Sequence, residues 1–207
     1  MRVDLFSTPI YMLNVADTEE GLKLSQAVSN VDIESLTEPN THWDCTVDTG
    51  FFKKFEIPSE VKKAVKDCVI PHVKNYVATS TLLNNTDLHA DIHELWLNRY
   101  FKGYSQEPHD HAGVCEISFN YIYKTATPDT SFKFINVLVP HINTMWFETL
   151  GLSFTGKEAA VNLRDGDLLL FPSFLTHSVF YRNENERITL SGNVKLTPLM
   201  ESNDEAR

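Results

Sequence analysis

Cysteine is scarce in this chain of 207 residues: Cys45, Cys68 and Cys115, an odd number with no CxxC spacing. That excludes a disulfide framework and a thiolate metal site, and free thiols fit a reducing compartment, so a cytoplasmic location is expected. Basic charge is short too, with 18 Lys and Arg against 28 Asp and Glu and a net charge of −10. Nucleic acid is held by clustered cations, and only short groups such as Lys53-Lys54 and Lys62-Lys63 occur, which argues against a nucleic-acid partner. No apolar run is long enough to cross a bilayer, and residues 1–15 lack the apolar stretch of a signal peptide, so no membrane association is expected. Repeats, low-complexity segments and Pro/Gly-rich linkers are missing as well. What remains, 42% apolar and 22% charged, is the composition of one soluble globular domain.

The expected organisation is a helical N-terminal extension (1–90), a β-rich core (91–197) and a polar tail (198–207). Asp17 and Glu20 suggest a capping-box-like start to a helix whose inner face is Leu24, Ala27, Val28 and Val31. A second helix is expected over about 58–77, where Val61, Val65, Cys68, Val69, Val73 and Tyr76 share a face and Pro71 should kink or split it. From residue 90 the helical period gives way to short segments rich in Val, Ile, Phe, Tyr and Thr: 94–100, 116–123, 132–139, 167–171, 178–181 and 187–195. Gly103, Pro128-Asp129, Gly151, Gly156, Gly166 and Asn183 punctuate them. Strands of this kind predict a mainly β fold, two sheets closing on a polar mouth as a jelly roll.

Two of the eight histidines stand in Pro108-His109-Asp110-His111. On extended chain positions i and i+2 face one side, so His109 and His111 can converge while Asp110 points away. His177 follows the apolar strand that begins after Gly166-Asp167, and a jelly roll can bring these distant strand ends together. Three imidazoles, or two with a carboxylate, suit iron, zinc, copper or nickel. His42, His72, His89, His93 and His141 have no comparable setting. Ten residues past His177, Arg187 and Thr189 would share one face of the next strand. A guanidinium fork with a hydroxyl beside it is a good anchor for a dicarboxylate.

Together these residues resemble the 2-oxoglutarate/iron(II) oxygenase superfamily, above all its prolyl-hydroxylase-like branch with small bacterial and phage-type relatives. The likeness spans about residues 94–196, and an opening such as Leu5-Phe6-Ser7-Thr8-Pro9-Ile10-Tyr11 also fits such relatives. It is carried by Leu95-Trp96-Leu97-Asn98-Arg99-Tyr100, by Gly103 to His111, by Ile117 to Tyr123, and by Gly166-Asp167-Leu168-Leu169-Leu170-Phe171-Pro172-Ser173 with His177, Arg187 and Asn193 after it. The resemblance implies a double-stranded β-helix in which His109 and His177 ligate iron(II) and Arg187 binds the far carboxylate of 2-oxoglutarate. Thr189, Tyr100, Tyr121, Asn98 and Asn193 would line the co-substrate pocket. It also implies O₂ as oxidant, ascorbate as an optional reductant, and a hydroxylase whose prime substrate is a protein residue, an amino acid or a small metabolite. The departure is His111, where the family's usual HxD motif has a carboxylate; either the site has three histidines or Asp110 is the third ligand.

Two other readings compete. Gly103, His109, His111 and Glu116 match much of the first cupin motif, which would make Glu116 a metal ligand of a dioxygenase or isomerase. Against it, Tyr123 and Phe174 stand where that pattern has glycine, and a cupin gives Arg187 no task. The third reading is a non-enzymatic jelly-roll binding protein with incidental histidines.

Overall fold

The computed structural model describes residues 8–80, 88–137 and 157–198. In chain order the elements are β1 (Tyr11–Asn14), α1 (Glu19–Ser29), β2 (Glu38–Pro39), β3 (Asp48–Thr49), a 3-10 turn (Phe51–Glu56), α2 (Ser59–Ser80) and β4 (Leu88–Tyr100). There follow β5 (Ser105–His109), β6 (Ile117–Lys124), β7 (Phe132–Ile135), β8 (Glu158–Ala160), β9 (Asp167–Pro172), β10 (His177–Phe180) and β11 (Arg187–Pro198). The expected turn glycines Gly151 and Gly156, the end of the 132–139 strand, Leu5-Phe6-Ser7 of the opening motif and the polar tail from residue 199 lie outside the described residues.

The chain is mainly β, with antiparallel sheets and two α-helices among the described residues. One sheet has seven strands in the order β1-β9-β6-β11-β4-β3-β2, and the other has four, β5-β10-β7-β8. From β4 to β7 each strand leaves the sheet of the one before, and β9, β10 and β11 do the same. The strands β1, β2, β3, β5 and β8 escaped sequence reading, so the expected helical extension also adds three short strands to the large sheet. Strand β5 was missed because Glu107 and Pro108 interrupt its apolar pattern.

Two helix expectations need correction. The N-cap of α1 is Thr18, not Asp17, and its hydroxyl accepts from Gly21 N at 3.0 Å. Only glycine fits at 21, since a Cβ there would lie 1.8 Å from Val15 O. Pro71 does not split α2, which runs unbroken over 22 residues. Val65, Cys68 and Val69 before the proline and Val73 and Tyr76 after it enter the same core, so packing keeps the helix continuous through Pro71.

Strand alternation divides the large sheet into two unlike faces. Leu95 and Leu97 of β4, Ile117, Phe119 and Tyr121 of β6, Leu168 and Leu170 of β9, and Ile188, Leu190 and Val194 of β11 form one core with α1 and α2. The residues between them turn to the small sheet. There Tyr100, Ile122, Leu169 and Phe171 pack with Phe132, Phe134, Val179 and Tyr181. The same face also carries Asn98, Ser118, Asn120, Arg187, Thr189, Ser191 and Asn193, all buried. Polar groups hidden in that number need partners, and they concentrate where β11 runs between β4 and β6.

Gly192, at the centre of β11, shows how tightly the helix-side face is filled. A Cβ there would sit 2.5 Å from Phe119 Cε1 and 2.6 Å from Glu94 O. Gly192→Ala is expected to destabilise the fold by about 1–3 kcal/mol through overpacking, read as a lower midpoint in urea unfolding.

Candidate metal centre

Strand pairing assembles the histidines. His177 opens β10 and is the direct Cα partner of His109, the last residue of β5, and their rings lie 4.3 Å apart. His111 stands two residues past β5, and its N donates to Ser173 O at 2.8 Å, which ties this segment to the end of β9. The His111 ring lies 5.4 Å from each of the other two. One ligand atom from each of the three lies within 4.8 Å of the others.

The ring orientations are set from behind. His109 Nδ1 lies 2.8 Å from Glu107 O and His177 Nδ1 lies 2.9 Å from Leu175 O. In each case the ring nitrogen donates to a carbonyl, which leaves Nε2 as the free lone pair. His111 Nδ1 is 3.2 Å from Asn193 Nδ2, and that amide also donates to Glu94 Oε2 at 2.9 Å. Lys54 Nζ meets the other oxygen of Glu94 at 2.5 Å. Trp96 stacks on His111 and Phe132 on His177. Burial, with His109 adding to it, pushes His111 down to about 4 and His177 well below the usual imidazole value. Both rings are therefore neutral at pH 7; the lone pair of His177 is at Nε2, and that of His111 is at Nδ1, where Asn193 donates to it. Three converging imidazoles are a donor set for iron, zinc, copper or nickel.

A second group of side chains lies farther along the same face of β11. Arg187 is fully buried, with its Nε donating to Asp129 Oδ2 at 2.8 Å. Asp129 is equally buried and accepts from Ser131 N, Ser131 Oγ and Thr125 Oγ1. Burial would raise the Asp129 carboxyl, but Arg187 and the Ser131 donors outweigh it and hold it below the ordinary carboxylate value. Tyr100 lies under the guanidinium at 5.1 Å and donates to Gln106 Oε1 at 2.9 Å. Arg187 Nη1 and Nη2, Thr189 Oγ1, Asn120 Oδ1 and Tyr181 OH are buried without a hydrogen-bond partner among the described residues. A fork of unsatisfied donors with hydroxyls beside it fits a carboxylate ligand, because leaving such groups unpaired costs about 1–3 kcal/mol each.

Some of the residues singled out in the sequence line one cavity, and others do not: Arg187, Thr189, Tyr100 and Asn193 are buried but are not among its lining residues. A cavity between the sheets is lined by His109, His111 and His177 together with Asn98, Gln106, Asn120 and Ser191. Asp110 is exposed and its carboxylate accepts from Ala112 N, away from the three rings. Glu116, the ligand required by the cupin reading, is exposed and accepts from Leu196 N. Tyr121 is the clear correction: strand alternation places it in the core shared with the helices, on the opposite side of β6 from Asn120. Sequence reading missed Asp129, taken as a turn marker, and also Asn120 and Tyr181. The parity of β6, and of His177 carried on through Val179, would have found the last two.

The ion pair between Asp129 and Arg187 also has a stability consequence. A carboxyl lowered in the folded protein contributes stability above its unfolded value, and that stability is lost as pH falls through the lower folded value. Asp129→Ala should cost roughly 3–5 kcal/mol at neutral pH by leaving a buried guanidinium unpaired. The loss should shrink on acidification, measured by urea unfolding at pH 7 and pH 3.

Residues 94–193 match the family model described as "Putative 2OG-Fe(II) oxygenase". No curated protein matches the sequence. Among solved structures, an oxidoreductase of the 2OG-Fe(II) oxygenase family from Burkholderia pseudomallei aligns with a TM-score of 0.60 at 12% identity, over 90% of this chain and 85% of that one. A prolyl-4-hydroxylase from Pseudomonas putida aligns at 0.58 and 12%, over 91% and 93%. The 2-oxoglutarate-dependent epimerase SnoN from nogalamycin biosynthesis aligns at 0.59 and 12%, over 92% and 78%. At such identities these structures show a shared fold, and the matched stretch contains β6, β9 and all three converging histidines. Over residues 94–193 this chain thus matches the model of the 2-oxoglutarate/iron(II) oxygenases, and its fold is one that they share.

Proposed function

We propose that His109, His111 and His177 bind one iron(II) and that Arg187, with Thr189 beside it, anchors the far carboxylate of 2-oxoglutarate. The observation that carries this reading is the convergence of three imidazoles on one face with a buried guanidinium whose Nη atoms no described residue satisfies. Iron(II) with 2-oxoglutarate and O₂ supplies oxidative chemistry in which the 2-oxoacid loses CO₂ to become succinate. The chain's own part is to bind, orient and keep water out. Glu107 O and Leu175 O hold two of the ligand rings, and Trp96 stacks on the third. Asp129 aims the guanidinium, Tyr100 donates to Gln106, and Gln106, Asn98 and Asn120 line the cavity beside the histidines.

The finer assignment is a hydroxylase acting on a protein residue, an amino acid or a small metabolite. The alternation of successive strands between two sheets favours a double-stranded β-helix. The helices α1 and α2 share a core with the large sheet, which favours one domain rather than a core with a separate extension. Three free thiols suit a reducing compartment such as the cytoplasm.

His177→Ala should abolish stoichiometric iron binding and with it the release of succinate from 2-oxoglutarate. Arg187→Lys keeps the charge but loses the fork, so affinity for 2-oxoglutarate should fall by about tenfold, equivalent to about 1.4 kcal/mol, with metal content unchanged. Metal analysis and calorimetry check both. Unaltered 2-oxoglutarate binding in Arg187→Ala would refute the anchor, and full iron content in His177→Ala would refute the metal centre.

A further inference from the structure

The charge of the cavity can be counted residue by residue, and the count rests on the metal and anchor assignments above. Imidazoles must be neutral to ligate, so three of them leave both charges of a divalent ion uncompensated by its own ligands. Behind His111 the Lys54–Glu94 pair cancels. Asp110 is exposed and turned to Ala112 N. Glu107 alternates with the cavity-lining Gln106 and faces Cys45. At the anchoring end the positive charge of Arg187 is already matched by Asp129, both wholly buried and in direct contact. The sum is two positive charges with the metal in place, and a dianion is the ligand that brings it to zero. Without Asp129 the sum would be three.

We propose that Asp129 sets the charge of this cavity. It supplies at the anchoring end the negative charge that an all-histidine shell lacks at the metal, and so matches the site to a 2-oxo dicarboxylate. Its hydrogen bond to Arg187 Nε also makes it a positioning residue, but the charge role has a consequence that positioning does not. Moving a carboxylate to the metal adds one negative charge, and removing the one at Asp129 takes it away again. The two changes should therefore act on dianion binding with opposite signs. In a buried site of low effective dielectric a unit charge several ångströms from the ligand is worth about a factor of ten or more.

The test is calorimetric binding of 2-oxoglutarate to the zinc(II)-loaded full chain, where no turnover can occur, after zinc content and thermal melting confirm each protein. His111→Asp should bind 2-oxoglutarate about tenfold more weakly than the unaltered protein. Adding Asp129→Asn, which keeps an acceptor for Arg187 Nε, should bring affinity back to within about threefold. A double variant that binds no more tightly than His111→Asp alone overturns the proposal and leaves Asp129 as a positioning residue only. If the double variant does not fold, single Asp129→Asn decides: binding at least as tight as in the unaltered protein supports the charge role, and weaker binding overturns it. Failure of the underlying assignment looks different, because the unaltered zinc protein would then bind no 2-oxoglutarate or would bind it equally well as Arg187→Ala.

Discussion

The alternation of side chains along β11 is the constraint on which the structure depends. Buried on both faces, this strand must be apolar toward the helices, where Ile188, Leu190 and Val194 pack. The intervening positions form a polar row of Arg187, Thr189, Ser191 and Asn193 that is sealed between the sheets. A one-residue slip in register would drive the guanidinium into the helix core and expose apolar side chains to the cavity. Pairing with β4 and β6 on either side prevents it. The same row joins the two halves of the site, since Asn193 touches His111 at one end and Arg187 presents its fork at the other.

Burial then turns weak groups into a specific site. The three histidines come from two strand ends and a segment past one of them, and no single stretch of chain could place them. Each Nδ1 has a neighbour in the protein, which leaves the rings little freedom. The ion pair of Asp129 with Arg187 fixes the guanidinium in the same manner. One edge is held, and both Nη atoms are left without a partner among the described residues.

Much of this was legible in the sequence, and the legible parts share a physical cause. Short apolar and aromatic segments marked β4, β6, β7, β9, β10 and β11, and the His-x-His spacing with His177 after an apolar strand marked the ligand candidates. What escaped depended on which face a residue takes or on partners far away in the chain. Tyr121 was assigned to the pocket although its parity with Ile117 and Phe119 puts it among the helices. Asp129 read as a turn residue because its partner, Arg187, lies 58 positions away. Pro71 read as a kink or a break because local propensity says nothing of the core that both halves of α2 enter.

The fold serves a broad chemistry, and its solved examples include both a prolyl-4-hydroxylase and an epimerase. The proposal for this chain is that the three histidines and Arg187 act on the same molecule of 2-oxoglutarate. The most direct test is an anaerobic titration of the iron(II)-loaded protein with 2-oxoglutarate, followed by visible absorption. A metal-to-ligand charge-transfer band that saturates at one 2-oxoglutarate per iron, and needs both components, is the predicted result. Protein that holds stoichiometric iron yet develops no such band at saturating 2-oxoglutarate would contradict the account.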